Sequence, residues 1–323
     1  MPRELDEDDV RVRPPRSTRP RTKERPGHHQ AVPGFVVTVD RGRYRVRVGD
    51  EVVSAVRARE LGRRAVVVGD HVRVVGDVSG GPDALARIVR VEPRTSTLRR
   101  TPDDTDPLER VVVANADQLV VVMALADPPP RARLVDRCLV AAYDGGLVPL
   151  LCLTKADLAP PDELLERYAP LGVDIVVTAR ESGVEELRER LHGKVSVLFG
   201  QSGVGKSTLV NQLVPHAGRA VGEVTGVGKG RHTSSSAIAL PLPDGGTVID
   251  TPGIRSFGLG AVEPARVLAA FPDLAPGAEE CEVACDHLGS SCGLDAWVLA
   301  EGRDPQRLES LRLLLRSREG GED

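Results

Sequence analysis

Residues 194–213, KVSVLFGQSGVGKSTLVNQL, run as strand, glycine loop and helix within one short window. The apolar run Val195, Val197, Leu198 and Phe199 reads as a short buried strand. Gly200, Gln201, Ser202, Gly203, Val204, Gly205, Lys206 and Ser207 then satisfy G-x-x-x-x-G-K-[ST]. The glycines let backbone N–H groups turn inward and cradle phosphate oxygens. Lys206 reaches the β and γ phosphates, Ser207 can hold Mg²⁺, and the following helix points its positive end at the anion. Residues 200–208, Thr208 included, are the expected phosphate-binding set. A plain glycine turn between strand and helix leaves the Lys and Ser unexplained. A nucleoside-triphosphate site therefore dictates an α/β sheet around this loop.

Composition sharpens that reading. Only five of the 43 basic residues are lysine, namely Lys23, Lys155, Lys194, Lys206 and Lys229. In so arginine-rich a chain, lysine at Lys206 and again at Lys155 indicates a compact ammonium group. The 323 residues suit two or three domains. Aromatics make up 2%, so the cores must be Val, Leu and Ala. A net charge of −4 gives no global basic signature, and an RNA partner would be met by local patches. No apolar run approaches a membrane span, and the acidic, Arg-rich start is no signal peptide. A cytoplasmic protein is expected, with no membrane partner and as a monomer.

Residues 1–33 are charged, Pro-rich and nearly free of apolar side chains, which predicts a disordered tail with a basic arm. That arm either follows a phosphate backbone or is simply solvated. Residues 34–94 change to period two. Five short strands, at Phe35–Val39, Tyr44–Val48, Glu51–Val56, Val72–Val75 and Ala86–Val91, are separated by Gly/Asp turns. An OB-type β-barrel is the predicted fold, with an SH3-like barrel as alternative. Arg41, Arg43, Arg45 and Arg47 alternate along one hairpin, placing guanidinium groups on one face, either for RNA or for solvent. Residues 95–107 read as a linker.

Residues 108–260 alternate strand and helix in the doubly wound manner, with ligand loops at the carboxyl ends of strands. The strand 148–153 ends in Thr154, Lys155, Ala156 and Asp157, which resembles the N/T-K-x-D guanine motif of GTPases. The Asp157 carboxylate can accept hydrogen bonds from guanine N1–H and the 2-amino group. Adenine offers neither at those positions. The Lys155 stem packs along the base plane. Thr178 and Ala179 resemble the short loop whose backbone N–H meets guanine O6. Downstream, Asp250-Thr-Pro-Gly253 follows a strand as D-x-x-G: Asp250 holds Mg²⁺ through water and the Gly253 N–H senses the γ-phosphate. Gly222–Ser236 is a Gly-rich switch, with Thr233 as its first-choice Mg²⁺ ligand and Ser234 in reserve.

Ordinary GTPases present these elements as P-loop, switch, D-x-x-G, N-K-x-D and S-A. This chain runs T-K-A-D, T-A, P-loop, switch, D-x-x-G, which is a circular permutation. The old ends are joined through 183–193. Residues 261–323 are predicted as a zinc-binding α-helical module. Cys281-x₃-Cys285-x-His287-x₄-Cys292 supplies four soft or imidazole ligands with spacing that suits a tetrahedral structural Zn²⁺ site. Cys138 and Cys152 read as small hydrophobes. Leu308, Leu311, Leu314 and Leu315 lie on one face of a helix over 305–318.

The permutation, the N-terminal barrel, the Cys/His cluster, and the runs G-Q-S-G-V-G-K-S-T, G-K-G-R-H-T and D-T-P-G together resemble the ribosome small subunit-dependent GTPase A family, also called YjeQ or EngC. The resemblance spans about residues 34–300. The family has slightly longer gaps before its second and fourth zinc ligands. The resemblance implies a GTPase, taking GTP to GDP, that binds the 30S subunit and its 16S rRNA late in maturation and is stimulated by it.

Hydrolysis needs an aligned water and neutralised phosphate charge. Ile254 stands where many GTPases place a glutamine after D-x-x-G, and it cannot orient water. His232 is the best internal candidate, the family resemblance points the same way, and Lys206 and Thr233 complete the catalytic set. His232 as a solvated or RNA-contacting loop residue is the competing reading. Two other functions stay open: a P-loop ATPase or kinase, which Lys155 and Asp157 argue against, and a non-catalytic RNA-binding adaptor.

Overall fold

The computed structural model describes residues 28–62, 66–81, 83–100, 110–180, 182–214, 237–251, 262–282, 285–289 and 292–317. Five strands build the N-terminal barrel: β1 (Val32–Asp40), β2 (Arg43–Val48), β3 (Glu51–Arg57), β4 (His71–Gly76) and β5 (Ala86–Val91). Arg41 and Gly42 turn β1 into β2 with both residues at positive φ, the geometry that matches strand twist in a two-residue hairpin. The strands close in the order β1-β2-β3-β5-β4-β1, with β3 and β5 parallel and the other pairs antiparallel. That is the OB arrangement rather than an SH3-like one. Alternation sends Tyr44 and Val46 inward with Val36, Val53, Val74 and Ile88. The arginine row of β2 therefore lies outside. Arg43 is exposed, whereas Arg45 donates to Ser54 Oγ at 2.8 Å and Arg47 lies 5.1 Å from the centre of the Phe35 ring.

The first part of the segment read as a linker holds structure, while 101–107 lie outside the described residues. β6 (Thr97–Arg100) pairs antiparallel with β7 (Arg110–Ala114), and Leu98 is buried in the main core. The hairpin fastens the barrel to the α/β domain. Val68 bridges Val113, Asn115 donates through Nδ2 to Gly69 O at 2.9 Å, and Ser96 Oγ donates to Ala116 O at 2.6 Å. At Gly69 a Cβ would fall 1.9 Å from Ala114 O, and φ is +90°, so only glycine fits this crossing.

The α/β domain contributes β8 (Gln118–Ala124), α1 (Ala132–Gly145), β9 (Val148–Thr154), α2 (Asp162–Tyr168), β10 (Asp174–Val177), α3 (Val184–Leu191), β11 (Val195–Phe199), α4 (Lys206–Leu213), β12 (Ile238–Pro241) and β13 (Thr247–Asp250). β8 and β9 are apolar almost throughout and buried almost end to end, as strands of a parallel sheet covered on both faces must be. The sheet order is β10-β9-β8-β11-β13-β12, parallel except for β12. α3 occupies the stretch expected to join the permuted ends. Barrel strand β1 then adds to β12 through Thr38 and Ile238, so barrel and α/β sheet are continuous. A β-bulge after Val36 accompanies this junction, and Val37 is buried in the α/β core, not the barrel core.

Four helices complete the described chain: α5 (Pro264–Leu268), α6 (Ala275–Ala278), α7 (Gly293–Ala300) and α8 (Pro305–Ser317). Leu308, Leu311, Leu314 and Leu315 of α8 are buried, as the periodicity predicts. They share one apolar core with the α/β sheet, joined by Phe271, Leu274, Leu294 and Val298. Among the described residues no helix is long and apolar enough to cross a membrane.

Candidate nucleotide site and metal centre

The glycine loop sits where β11 ends against β8. A Cβ on Gly200 would meet Val122 O at 2.6 Å, so the first glycine is set by close packing. Gly203 and Gly205 have φ of +83° and +95°, and α4 begins at Lys206. Lys206 Nζ lies 2.5 Å from Asp250 Oδ1, with 14% and 23% of the two side chains exposed. The lysine of the phosphate loop and the aspartate of D-x-x-G thus meet at one partly open spot. Thr251 Oγ1 donates to Leu198 O at 2.8 Å and pins the end of β13 to β11. Ser207 and Thr208 are exposed on the first turn of α4. A serine hydroxyl and a carboxylate beside this lysine are hard oxygen donors of the kind Mg²⁺ takes alongside phosphate.

The guanine-type motif arrives from the other side. Thr154, at the end of β9, donates its hydroxyl to Val204 O in the glycine loop at 2.6 Å. Lys155 has φ of +61° and its Nζ donates to the carbonyl of Asp127, in the loop after β8. Ala156 N–H reaches Thr178 O at 3.1 Å, and Thr178 N–H reaches Leu153 O at 2.7 Å. Arg180 N–H donates to Asp157 Oδ1 at 3.3 Å. T-K-A-D, T-A, the P-loop and Asp250 therefore converge, although they are scattered in the chain. Ser202, Gly203 and Asp157 are exposed and Gln201 and Ala179 half-buried around this mouth. His232, Thr233, Ser234 and Gly253 lie outside the described residues. Asp127 and Thr251 escaped the sequence reading. Thr251 carries a weak signal as the hydroxyl inside D-T-P-G, and Asp127 acts through its backbone, which no side-chain pattern reveals.

In the C-terminal region Cys281, Cys285, His287 and Cys292 place their ligand atoms within 4.8 Å of one another. The edges Cys281 Sγ to Cys292 Sγ (3.6 Å), Cys281 Sγ to His287 Nδ1 (3.6 Å) and Cys292 Sγ to His287 Nδ1 (3.5 Å) can be compared with a tetrahedron. Zn–S and Zn–N bonds of ordinary length give edges of about 3.5–3.8 Å. The donor set fits zinc despite its compact spacing. Burial holds His287 below its ordinary pKa, in the neutral form that a metal requires. Gly293 packs close beside the cluster, since a Cβ there would lie 3.2 Å from Cys281 Sγ. Arg312 of α8, only 7% exposed, donates to His287 O (3.1 Å), Gly289 O (3.2 Å) and Asp295 Oδ2 (2.6 Å). Cys138 and Cys152 are buried as expected, and burial pushes the Cys152 thiol up to about 12.

A family model described as RsgA GTPase matches residues 91–260. The small ribosomal subunit biogenesis GTPase RsgA of Chlorobaculum parvum is 37% identical over 90% of this chain and 99% of its own length. The chain belongs to the RsgA GTPase family. The protein of the same name from Azotobacter vinelandii is 43% identical over 78% of this chain and 75% of its own. Among solved structures, YjeQ from Thermotoga maritima superposes with a TM-score of 0.66 at 27% identity, covering 90% of this chain and all (100%) of that one. YloQ, described as a circularly permuted GTPase, gives a TM-score of 0.64 at 24% identity and supports the fold alone. As an RsgA-family member, the chain is a GTP hydrolase with a permuted P-loop domain, an N-terminal β-barrel and a zinc-compatible C-terminal cluster.

Proposed function

We propose that this chain hydrolyses GTP to GDP and phosphate as a late maturation factor of the 30S ribosomal subunit, binding 16S rRNA. It acts as a cytoplasmic monomer stimulated by that subunit. The observation that carries the reading is the bond from Thr154 Oγ1 to Val204 O at 2.6 Å. It sets the loop that can read guanine beside the loop that can hold phosphates. The relatives' shared name, small ribosomal subunit biogenesis GTPase, supplies the partner.

In this reading residues 200–208 hold the phosphates. Thr154, Lys155, Ala156, Asp157, Thr178 and Ala179 hold guanine. Lys206 neutralises charge on the leaving phosphates, Ser207, Thr233 and Asp250 hold Mg²⁺, and Gly253 N–H meets the γ-phosphate. Bound Mg²⁺ would supply further charge neutralisation. His232 orients the attacking water. Cys281, Cys285, His287 and Cys292 hold one structural Zn²⁺, leaving no open ligand position.

GTP turnover measured alone and with 30S, 50S and 70S particles tests this. Slow turnover alone and a large increase with 30S are expected. His232→Ala should retain GDP binding and lose about 10²-fold or more of the stimulated rate. Equal rates under all four conditions would refute the ribosomal role, and an undiminished stimulated rate in His232→Ala would remove the histidine from the mechanism.

A further inference from the structure

β10 is the edge strand of the site, held at its first residue by Arg190 on Asp174 at 2.8 Å and beyond its end by Gln212 on Arg180 O at 3.3 Å. It has four residues, stands at the end of the sheet and, among the described residues, pairs only with β9. Yet its carboxyl end delivers Thr178 to Arg180, and the Arg180 N–H holds Asp157. Its amino end is entered from the 3-10 turn Ala169–Leu171. That turn is gripped from α8. Arg307 Nη1 donates to Pro170 O at 2.8 Å. Arg307 is itself aimed by Asp273, with Nε 3.2 Å from Oδ2, and its guanidinium lies 4.4 Å from the centre of the Phe271 ring. A planar fork that meets a carboxylate, a carbonyl and a ring at once has little freedom left. Five residues along the same helix, Arg312 grips the Cys/His loop through His287 O and Gly289 O. About 7.5 Å of rigid helix separates the two grips.

We propose that Arg307 is a positioning residue for guanine recognition and that α8 couples the Cys₃His loop to it. The inference rests on the assignment of Asp157 to the guanine edge. The route runs from the metal loop through Arg312, α8, Arg307 and Pro170 to β10, and from there through Arg180 N–H to Asp157. A slack turn lets the edge strand shift and moves the donor that aims the Asp157 carboxylate. The phosphate loop, built on β11 three strands further in, keeps its place. Coupling of this kind is reciprocal: metal favours guanine binding, and guanine nucleotide favours metal retention.

The test compares GDP with inosine diphosphate, which lacks the 2-amino group that Asp157 would accept from. Both affinities are measured by equilibrium titration on the full chain, zinc-loaded and after chelation. Metal content is checked by elemental analysis, and the emission of the sole tryptophan, Trp297, is followed alongside because it packs against Gly277, whose carbonyl lies 3.9 Å from Cys281 Sγ. In Arg307→Ala the preference for GDP over the inosine nucleotide should fall at least ~5-fold, chiefly through weaker GDP binding. Chelation should lower the wild-type preference in the same direction and add nothing in Arg307→Ala. General destabilisation would weaken both ligands alike, and that result overturns the proposal. If Arg307→Ala does not fold, Asp273→Asn keeps the guanidinium and loosens its aim; a smaller drop in preference is expected, and an unchanged preference overturns it. A wild type that binds both nucleotides equally overturns the guanine assignment of Asp157 itself. A discriminating wild type beside equally discriminating variants overturns only the role of Arg307.

Discussion

Among the described residues, Asp70 places strict demands on its surroundings. Its carboxylate is fully buried, accepts Val67 N–H at 2.8 Å, and is met by Arg94 through Nε (2.7 Å) and Nη2 (2.8 Å). A buried carboxylate is tolerated only when such a fork answers both oxygens. Arg94→Met should leave the charge stranded and lower stability by about 3 kcal/mol, read from the urea midpoint. A loss below about 1 kcal/mol would mean that water reaches Asp70 in the variant. In the sequence, Gly69 and Asp70 read only as a turn between strands. Arg94 lies 24 residues away, and no local pattern connects them. Lys206 and Asp250 were legible for the opposite reason, because each sits in a motif whose chemistry names its neighbour.

The same contrast holds for elements. The barrel strands and α8 were legible because each carries its own period, and the parallel strands because each is a short unbroken apolar run. The β6–β7 hairpin was not, because Thr97–Arg100 is short, half charged, and gains its order from β7 and the core around Leu98. In α8 the leucine face was legible, whereas nothing in the local pattern marks Arg312 as buried. It is held against the Cys/His loop through His287 O and Gly289 O, more than twenty residues earlier in the chain. The loop yields a prediction at this scale. Metal analysis of the purified chain should give one zinc per molecule. Cys285→Ser should release it and lower the melting temperature by about 5 °C or more. Full zinc content in Cys285→Ser would remove that residue from the ligand set.

For the whole molecule, register decides what the permutation can keep. One row of paired residues crosses the sheet: Thr38, Ile238, Asp250, Leu198, Val120, Leu150 and Asp174. Barrel residue Thr38 is therefore two strands, about 10 Å, from the aspartate of D-x-x-G. The permuted order was legible in the motifs alone. The strand pairing that makes barrel and α/β sheet continuous was not, since Thr38 and Ile238 are far apart in the chain. With α3 joining the two halves, loops out of sequence are still brought together, Thr154 on the glycine loop and Lys206 on Asp250. Asp157→Asn tests that claim most directly, because an amide can donate to the 2-oxo group of xanthine where a carboxylate accepts from the 2-amino group of guanine. Hydrolysis of GTP and XTP by the two proteins should exchange, with the wild type selecting GTP and the variant selecting XTP. A variant that keeps its GTP preference, or a wild type indifferent to the base, would contradict the assembly of these loops around guanine.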